Sequence, residues 1–568
     1  MPKIERRFFR DAWELTKPYW SSEEKWSAWA LAIGIVVLNL FQVYLNVWLN
    51  QWYGTFYNAL QDYDRALFFR ELEIFAGFAV VWLTTALVTF YVTQMLQIRW
   101  RRWLTDEYVA RWFASNTYYR MQMTGETDNP DQRISDDLRL FTDQILNLSV
   151  GLLSSVVTFF SFFFILWSLS GPITIPLGAL GSITIPGYAA IGAIVYAGFG
   201  TWATVKIGRP LVGLTFTQQR YEADFRYSLV RVRENSESIA FYKGEPHERD
   251  ILNLRFGHVF GNFIALLKRR MKLIVMTSGY SQIAIIVPYL VAAPKYFSKA
   301  IQLGGVQQIA NSFDQVQTSL SFIVNSYEQI AVLQAVMARL TQFAHRAGEL
   351  DAVTPSIEIE KTNAGGLAVA GLDLDLPNGA PLRPGLHLEV PQSKSLLVMG
   401  PTGAGKSTLL RAISGLWPFG KGHISTSAKR PLFLPQKPYI PLGSLRAAVL
   451  YPYKPQGVTD AMLADALRQV GLAKLADELD AEDNWTQRLS VGEQQRLAFA
   501  RVLVQKPDMI FIDEGTAALD EDSEAALYRL VDTLPERPTI ISVGHRSTLK
   551  QLHDAVYDMD GDVAPEAA

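Results

Sequence analysis

The sequence predicts an all-α half followed by an α/β half, and three observations carry that reading. Apolar residues crowd before about residue 350, in uncharged runs long enough to cross a hydrocarbon layer of ~30 Å. After about residue 366, short apolar strands alternate with helical patterns to the end of the chain. Between one such strand and helix, residues 400–407 read GPTGAGKS, which fits G-x-x-x-x-G-K-[ST] without a mismatch. A chain of 568 residues is also long enough for two or more domains.

Composition narrows the classes. The net charge of −2 supplies no general attraction to nucleic acid. The absence of Cys excludes disulfides, thiolate metal sites and cysteine nucleophiles. Hydrophobic content is 49%, with 14 Trp and 31 Phe, and is concentrated in the first half. No apolar stretch of signal-peptide length follows the charged start, so no cleaved signal is expected.

Residues 8–19 mix aromatics with charges and predict an amphipathic helix lying at a membrane interface. Residues 26–61 carry no charge, and 26–49 predict the first span. The second is 74–98, closed by the basic-aromatic run RWRRW at 99–103. Residues 144–205 are uncharged and too long for one span. GPITIPLGALGSITIPG at 171–187 divides them into two spans and an outer loop. The fifth is 273–294. A sixth helix is expected over 312–343, where Asp314, Glu328 and several Gln and Asn suggest a face toward water. Residues 206–272 hold thirteen Lys or Arg and the loop at 171–187 holds none. The positive-inside bias therefore predicts that both termini, 99–135 and 206–272 are cytoplasmic. The expected boundaries are 1–24 for the interfacial helix, 25–345 for the membrane domain, 346–366 for a polar linker and 367–568 for the α/β domain.

In the second half, the apolar run 396–399 is the expected strand before the loop, and 408–413 begins the helix after it. Glycines at 400, 403 and 405 let the backbone curl so that successive N–H groups face an anion, at a helix N-terminus that favours negative charge. Gly400, Pro401, Thr402, Gly403, Ala404, Gly405, Lys406, Ser407 and Thr408 are therefore the candidate phosphate contacts. Lys406 reaches the β- and γ-phosphates, and the Ser407 hydroxyl suits Mg²⁺.

Five features follow in order: Gln436 in LPQKP, LSVGEQQR at 489–496, MIFIDE at 509–514, AALD at 517–520 and SVGHR at 542–546. An apolar strand ending in two acids sets Asp513 to hold Mg²⁺ and Glu514 to orient or deprotonate the attacking water. His545 can contact the γ-phosphate, and Gln436 can sense both Mg²⁺ and that phosphate. A single His after a strand is more often a surface or capping residue. The order of all five features carries the reading.

These residues resemble the ATP-binding cassette family. The resemblance implies that 489–496 is the signature and that 517–520, with Asp520, is the loop at a dimer interface. It implies that a second identical chain completes each site, with Ser490, Gly492 and Glu493 serving the partner's ATP. One departure is Val491, where the family usually has Gly. Another is the absence of an aromatic ring at 372–382, so no residue is assigned to adenine. In the membrane half, NPDQRISDD at 129–137 and NSESIAFYKGE at 235–245 resemble peroxisomal fatty-acyl half-transporters. NVWLNQWYGTFYNALQ at 46–61 resembles BacA-related bacterial proteins, some of which carry a fused cassette. The implied fold is a type IV exporter: six membrane helices, then a P-loop domain with a helical subdomain.

The expected function is an ATP- and Mg²⁺-dependent homodimeric half-transporter in a bacterial inner membrane, in contact with lipid and cargo but not nucleic acid. The favoured cargo is a bulky hydrophilic solute such as cobalamin, an antimicrobial peptide or a bleomycin-like compound, taken up. Export of amphipathic or lipid-like compounds, or acyl-CoA transport, is the alternative. A regulator or channel-like protein is the alternative of another class, and the intact Lys406, Asp513, Glu514 and His545 argue against it.

Overall fold

The computed structural model describes residues 6–124, 129–176, 182–352, 356–363, 365–453, 455–560 and 566–567. The chain divides into two units, Met1–Arg111 with Asp128–Arg346, and Trp112–Thr127 with Ala347–Ala568.

The helical elements in chain order are α1 (Arg6–Trp20), α2 (Lys25–Gln61), α3 (Arg65–Phe113), α4 (Thr117–Thr124) and α5 (Pro130–Gln132). α5 runs through one π-helical turn, Arg133–Asp137, into α6 (Leu138–Ser170). Then come α7 (Tyr188–Glu234), α8 (Ser236–Tyr242), α9 (Glu245–Phe297), α10 (Leu303–Asn325) and α11 (Tyr327–Ala352). Among the described residues, five helical runs are long and apolar enough to cross a membrane: Lys25–Gln61, Arg65–Met123, Pro130–Ser170, Tyr188–Glu234 and Glu245–Phe297.

Two regions differ in detail from expectation. The helical region expected over 312–343 starts earlier, at Leu303, and turns at Ser326 from α10 into α11. Its Gln, Asn and Ser content keeps it out of the strongly apolar set. The loop at 171–187 contains a β-hairpin, β1 (Pro172–Pro176) paired antiparallel with β2 (Ser182–Pro186). The two similar ITIP stretches place Ile173 opposite Ile185 and Thr174 opposite Thr184, cross-strand pairs of β-branched residues.

Within this unit, Phe162 and Leu166 of α6, Ala189 and Ala193 of α7, Ala292 of α9 and Phe313 of α10 form one buried cluster. The small residues let the helices approach closely, as packing in lipid requires. Large apolar residues such as Leu87, Phe90, Ile283 and Leu290 point outward, as hydrocarbon solvent permits. Asp137 is buried and accepts hydrogen bonds from Arg133 Nη1 at 2.9 Å, Arg339 Nε at 2.8 Å and Arg339 Nη2 at 2.6 Å.

The second unit holds two sheets. In the first, β3 (Ile357–Lys361), β4 (Gly366–Asp375), β5 (Pro381–Pro391) and β7 (Gly420–Thr426) lie in the order β3-β7-β4-β5. In the second, β6 (Ser395–Met399), β8 (Pro431–Leu434), β11 (Met509–Asp513), β12 (Thr539–Val543) and β13 (Ala555–Asp558) are parallel in the order β13-β6-β12-β11-β8. The antiparallel pair Glu566–Ala567 adds an edge beside β13. The short strands β9 (Gly443–Ser444) and β10 (Glu482–Asp483) pair with each other.

Helices α12 (Lys406–Ile413), α13 (Leu445–Leu450), α14 (Asp460–Gln469), α15 (Trp485–Arg488), α16 (Val491–Gln505) and α17 (Glu521–Asp532) complete the unit. The central strands β6, β11 and β12 are apolar on both faces because helices and the other sheet cover both. Part of the first long loop also belongs here. Met123 of α4 packs on this core, and Arg120 Nη1 donates to Leu350 O at 2.9 Å.

Candidate functional site

The parallel register brings the C-terminal ends of β6, β11 and β12 together, with Val398 opposite Val543 and Val543 opposite Asp513. Ligand sites of parallel sheets form at such edges. The chain leaves β6 through Gly400 (φ +143°), Gly403 (φ +88°) and Gly405 (φ +92°), conformations that side chains rarely adopt. Space at Gly405 is also tight, since a Cβ there would lie 3.3 Å from Leu382 Cδ2. Pro401 O accepts the Ala404 N–H at 3.2 Å, closing the turn around Thr402, and Thr408 follows in the first turn of α12.

Lys406 is buried and spans the loop, its Nζ donating to Gly400 O and Pro401 O at 2.8 Å each. Ser407 Oγ donates to Asp513 Oδ1 at 2.8 Å, pairing a hydroxyl from α12 with the last residue of β11. Burial pushes the Asp513 carboxyl above its ordinary pKa, the Ser407 hydrogen bond offsets part of this, and neighbouring Glu514 raises it further. Two adjacent hard oxygen donors beside a phosphate loop fit the donor set of Mg²⁺.

Glu514 turns out of the strand at φ +51°, a strained conformation for a non-glycine residue. Its N–H is fixed by Val543 O at 3.0 Å. Gln436 Nε2 donates to Glu514 Oε2 at 3.0 Å, and His545 Nε2 lies 3.1 Å from Glu514 Oε1. Three expected residues, more than a hundred positions apart at the extremes, converge on one carboxylate.

Ser490, Gly492 and Glu493 form a second cluster. Ser490 caps α16, with its Oγ accepting from Glu493 N at 3.3 Å. Glu493 Oε2 in return accepts from Ser490 N at 2.9 Å and Ser490 Oγ at 2.8 Å, a capping box. These bonds, the backbone one foremost, hold the Glu493 carboxyl below its usual pKa. Val491 is half exposed. Gly492 abuts the 517–520 loop, where a Cβ would lie 3.3 Å from Ala518 O. Asp520 caps α17, accepting from Ser523 N at 2.8 Å and Ser523 Oγ at 2.8 Å. The side-chain hydrogen bonds of Ser490 and Glu493 stay within this cluster and do not reach the phosphate loop.

Two residues that sequence reasoning passed over tie the clusters together. Gln495 is fully buried; its Nε2 donates to Gln436 O at 3.0 Å and its Oε1 accepts from Ala518 N at 3.1 Å. Arg546 Nη1 donates to Leu519 O at 2.8 Å and its Nη2 to Ala517 O at 3.1 Å. The signal for both was their place inside quoted motifs, next to residues with assigned chemistry.

Comparison with known proteins adds to this geometry. Residues 15–297 match the family model of ABC transporter transmembrane region 2, and residues 384–517 match that of the ABC transporter. The chain is 33% identical to the Escherichia coli inner membrane ABC transporter ATP-binding protein YddA, covering 96% of each chain. It is 27% identical to the human lysosomal cobalamin transporter ABCD4, covering 99% of this chain and 96% of that one. A bacterial Atm1-family ABC exporter with ATP bound superposes with a TM-score of 0.72 at 17% identity, over 93% of each chain, a likeness of fold.

Proposed function

The chain belongs to the ABC transporter family, and on that footing we propose that it is a homodimeric half-transporter taking up bulky hydrophilic solutes across a bacterial inner membrane. It is an ATPase coupled to transport, with a helical membrane domain and a cassette in one chain of exporter-type fold. The observation that carries the catalytic reading is the Glu514 carboxylate held by Gln436 and His545 beside the Ser407–Asp513 pair.

In this reading, residues 400–408 bind the ATP phosphates and Lys406 neutralises charge on them. Ser407, Asp513 and Gln436 would hold Mg²⁺, which offsets phosphate charge when bound. Glu514 accepts a proton from the attacking water, and His545 keeps that water and the γ-phosphate in line. Ser490, Gly492 and Glu493 serve the partner's nucleotide, with the Asp520 loop at the interface. Tighter binding of ATP to the closed pair of cassettes biases the membrane domain, whose limits we take as 25–345, between its two access states.

For cargo, the support is the near absence of Lys and Arg in the five apolar stretches, which gives CoA phosphates no cationic partner. Full-length similarity to a cobalamin transporter points the same way. The test is uptake of labelled cobalamin into bacterial cells lacking their own transporter, comparing the wild type with Glu514→Gln. Accumulation that requires Glu514 supports uptake. Active ATPase without accumulation turns the reading to export.

A further inference from the structure

We propose that α2 and α10 form the solute-contact wall of the membrane unit, and that Asp314 makes this wall select cationic, hydrogen-bonding solutes over anionic ones. The proposal rests on the hydrophilic-cargo reading and names the cargo chemistry within it.

The first observation is which side of each helix is exposed. At 100° per residue, Gln307, Asn311, Asp314, Thr318, Ser321 and Asn325 fall within an arc of about 80° on α10. The stripe runs about 27 Å, close to the thickness of a bilayer core. Asp314, Thr318 and Asn325 are exposed, while Val306, Ile309, Phe313 and Val316 face the buried cluster. Among the described residues, the only large apolar side chain that α10 exposes is Leu303, its first. The apolar helices do the opposite and expose Leu, Val, Ile and Phe. An exposed polar face of this length is not stable against lipid and therefore borders water.

The second observation is a matching stripe. Asn39, Gln42, Asn46, Asn50, Tyr53 and Tyr57 also fall within about 80° on α2, roughly opposite its exposed Ile33, Val37, Leu40 and Tyr44; Asn50 is buried and the other five are half-buried. Asn50 joins the two helices, donating from Nδ2 to Ser312 Oγ at 3.1 Å and accepting at Oδ1 from Asn311 Nδ2 at 2.9 Å. The backbones touch nearby, since a Cβ on Gly304 would lie 2.0 Å from Gly54 O.

The third observation is charge. Asp314 is the one Asp, Glu, Lys, Arg or His on α10, and α2 carries none after Lys25. A wall of amides and hydroxyls with one exposed carboxylate suits solutes bearing amide or hydroxyl groups and a cation. It repels phosphates and carboxylates.

The test uses the full-length protein in lipid nanodiscs and reads stimulation of ATPase by capped peptides identical but for Lys, Gln or Glu at the same positions. The expected result is a half-stimulating concentration about tenfold lower for the Lys peptide than for the Glu peptide, the scale of one charge pair in a partly dry cavity. Asp314→Asn should erase that ratio and Asp314→Glu should keep it; because the readout is a ratio, a general loss of activity does not imitate it. Equal stimulation by all three peptides, unchanged in Asp314→Asn, overturns the inference and leaves the hydrophilic-cargo reading standing. Stimulation by palmitoyl-CoA and by no peptide overturns both.

Discussion

Replacing Gln495 with Ala tests how the catalytic carboxylate is held. Gln495 is fully buried and its amide serves Gln436 O and Ala518 N, at 3.0 and 3.1 Å. Truncation removes both bonds, whose partners Gln436 O and Ala518 N belong to exposed residues where water can take their place. Each such bond contributes about 0.5–1.5 kcal/mol net, so the local loss is about 1–3 kcal/mol before any cavity term. Gln436 is the residue that donates to Glu514. If about 1.4 kcal/mol of that loss falls on the placement of Glu514, turnover drops about tenfold. The assay is ATP hydrolysis by the purified protein in nanodiscs, with the thermal unfolding midpoint measured on the same samples. Gln495→Glu keeps an acceptor for Ala518 N but sets a buried carboxylate against Gln436 O, so its turnover should fall at least as far as in Gln495→Ala. Wild-type turnover and midpoint in Gln495→Ala would refute the bridge.

Glu514→Gln should lower hydrolysis by roughly 10²–10⁴-fold while ATP still binds, trapping a dimer detectable by size exclusion; undiminished turnover defeats the general-base role. Gly405→Ala places a Cβ 3.3 Å from Leu382 Cδ2 at φ +92°, so nucleotide affinity should fall, read by a fluorescent ATP analogue. The Glu493 carboxyl is held below its unfolded value, so its stabilisation is present above that value and lost as pH falls through the folded one. Glu493→Gln should flatten the acid limb of thermal stability. Val491→Gly removes a half-exposed side chain at the start of α16, and a change in ATPase turnover would show that the valine limits dimer closure.

Much of the fold and site was legible because the signals are local. The phosphate loop needs glycines where φ is positive, and Gly400, Gly403 and Gly405 stand there in sequence as in structure. Strands buried on both faces must be continuously apolar, which located β6, β11 and β12 within a residue or two and put Asp513 at a strand end. Five spans were readable because lipid demands uncharged runs of a set length.

What the tertiary structure alone decided is which distant groups meet. Gln436, Gln495 and Ala518 meet only because β8, α16 and the loop after β11 pack together, and nothing in the spacing of these residues encodes it. Asp137 and Arg339 lie 202 positions apart, and the half-exposed guanidinium pairs with the buried carboxylate. The division of the sixth helical region at Ser326 and the pairing of the two ITIP stretches depend on neighbours as well as on composition. Sequence determines what a residue can do within its own turn of helix or strand. Burial and long-range partners, which fix its charge and its orientation, exist only once the chain has packed.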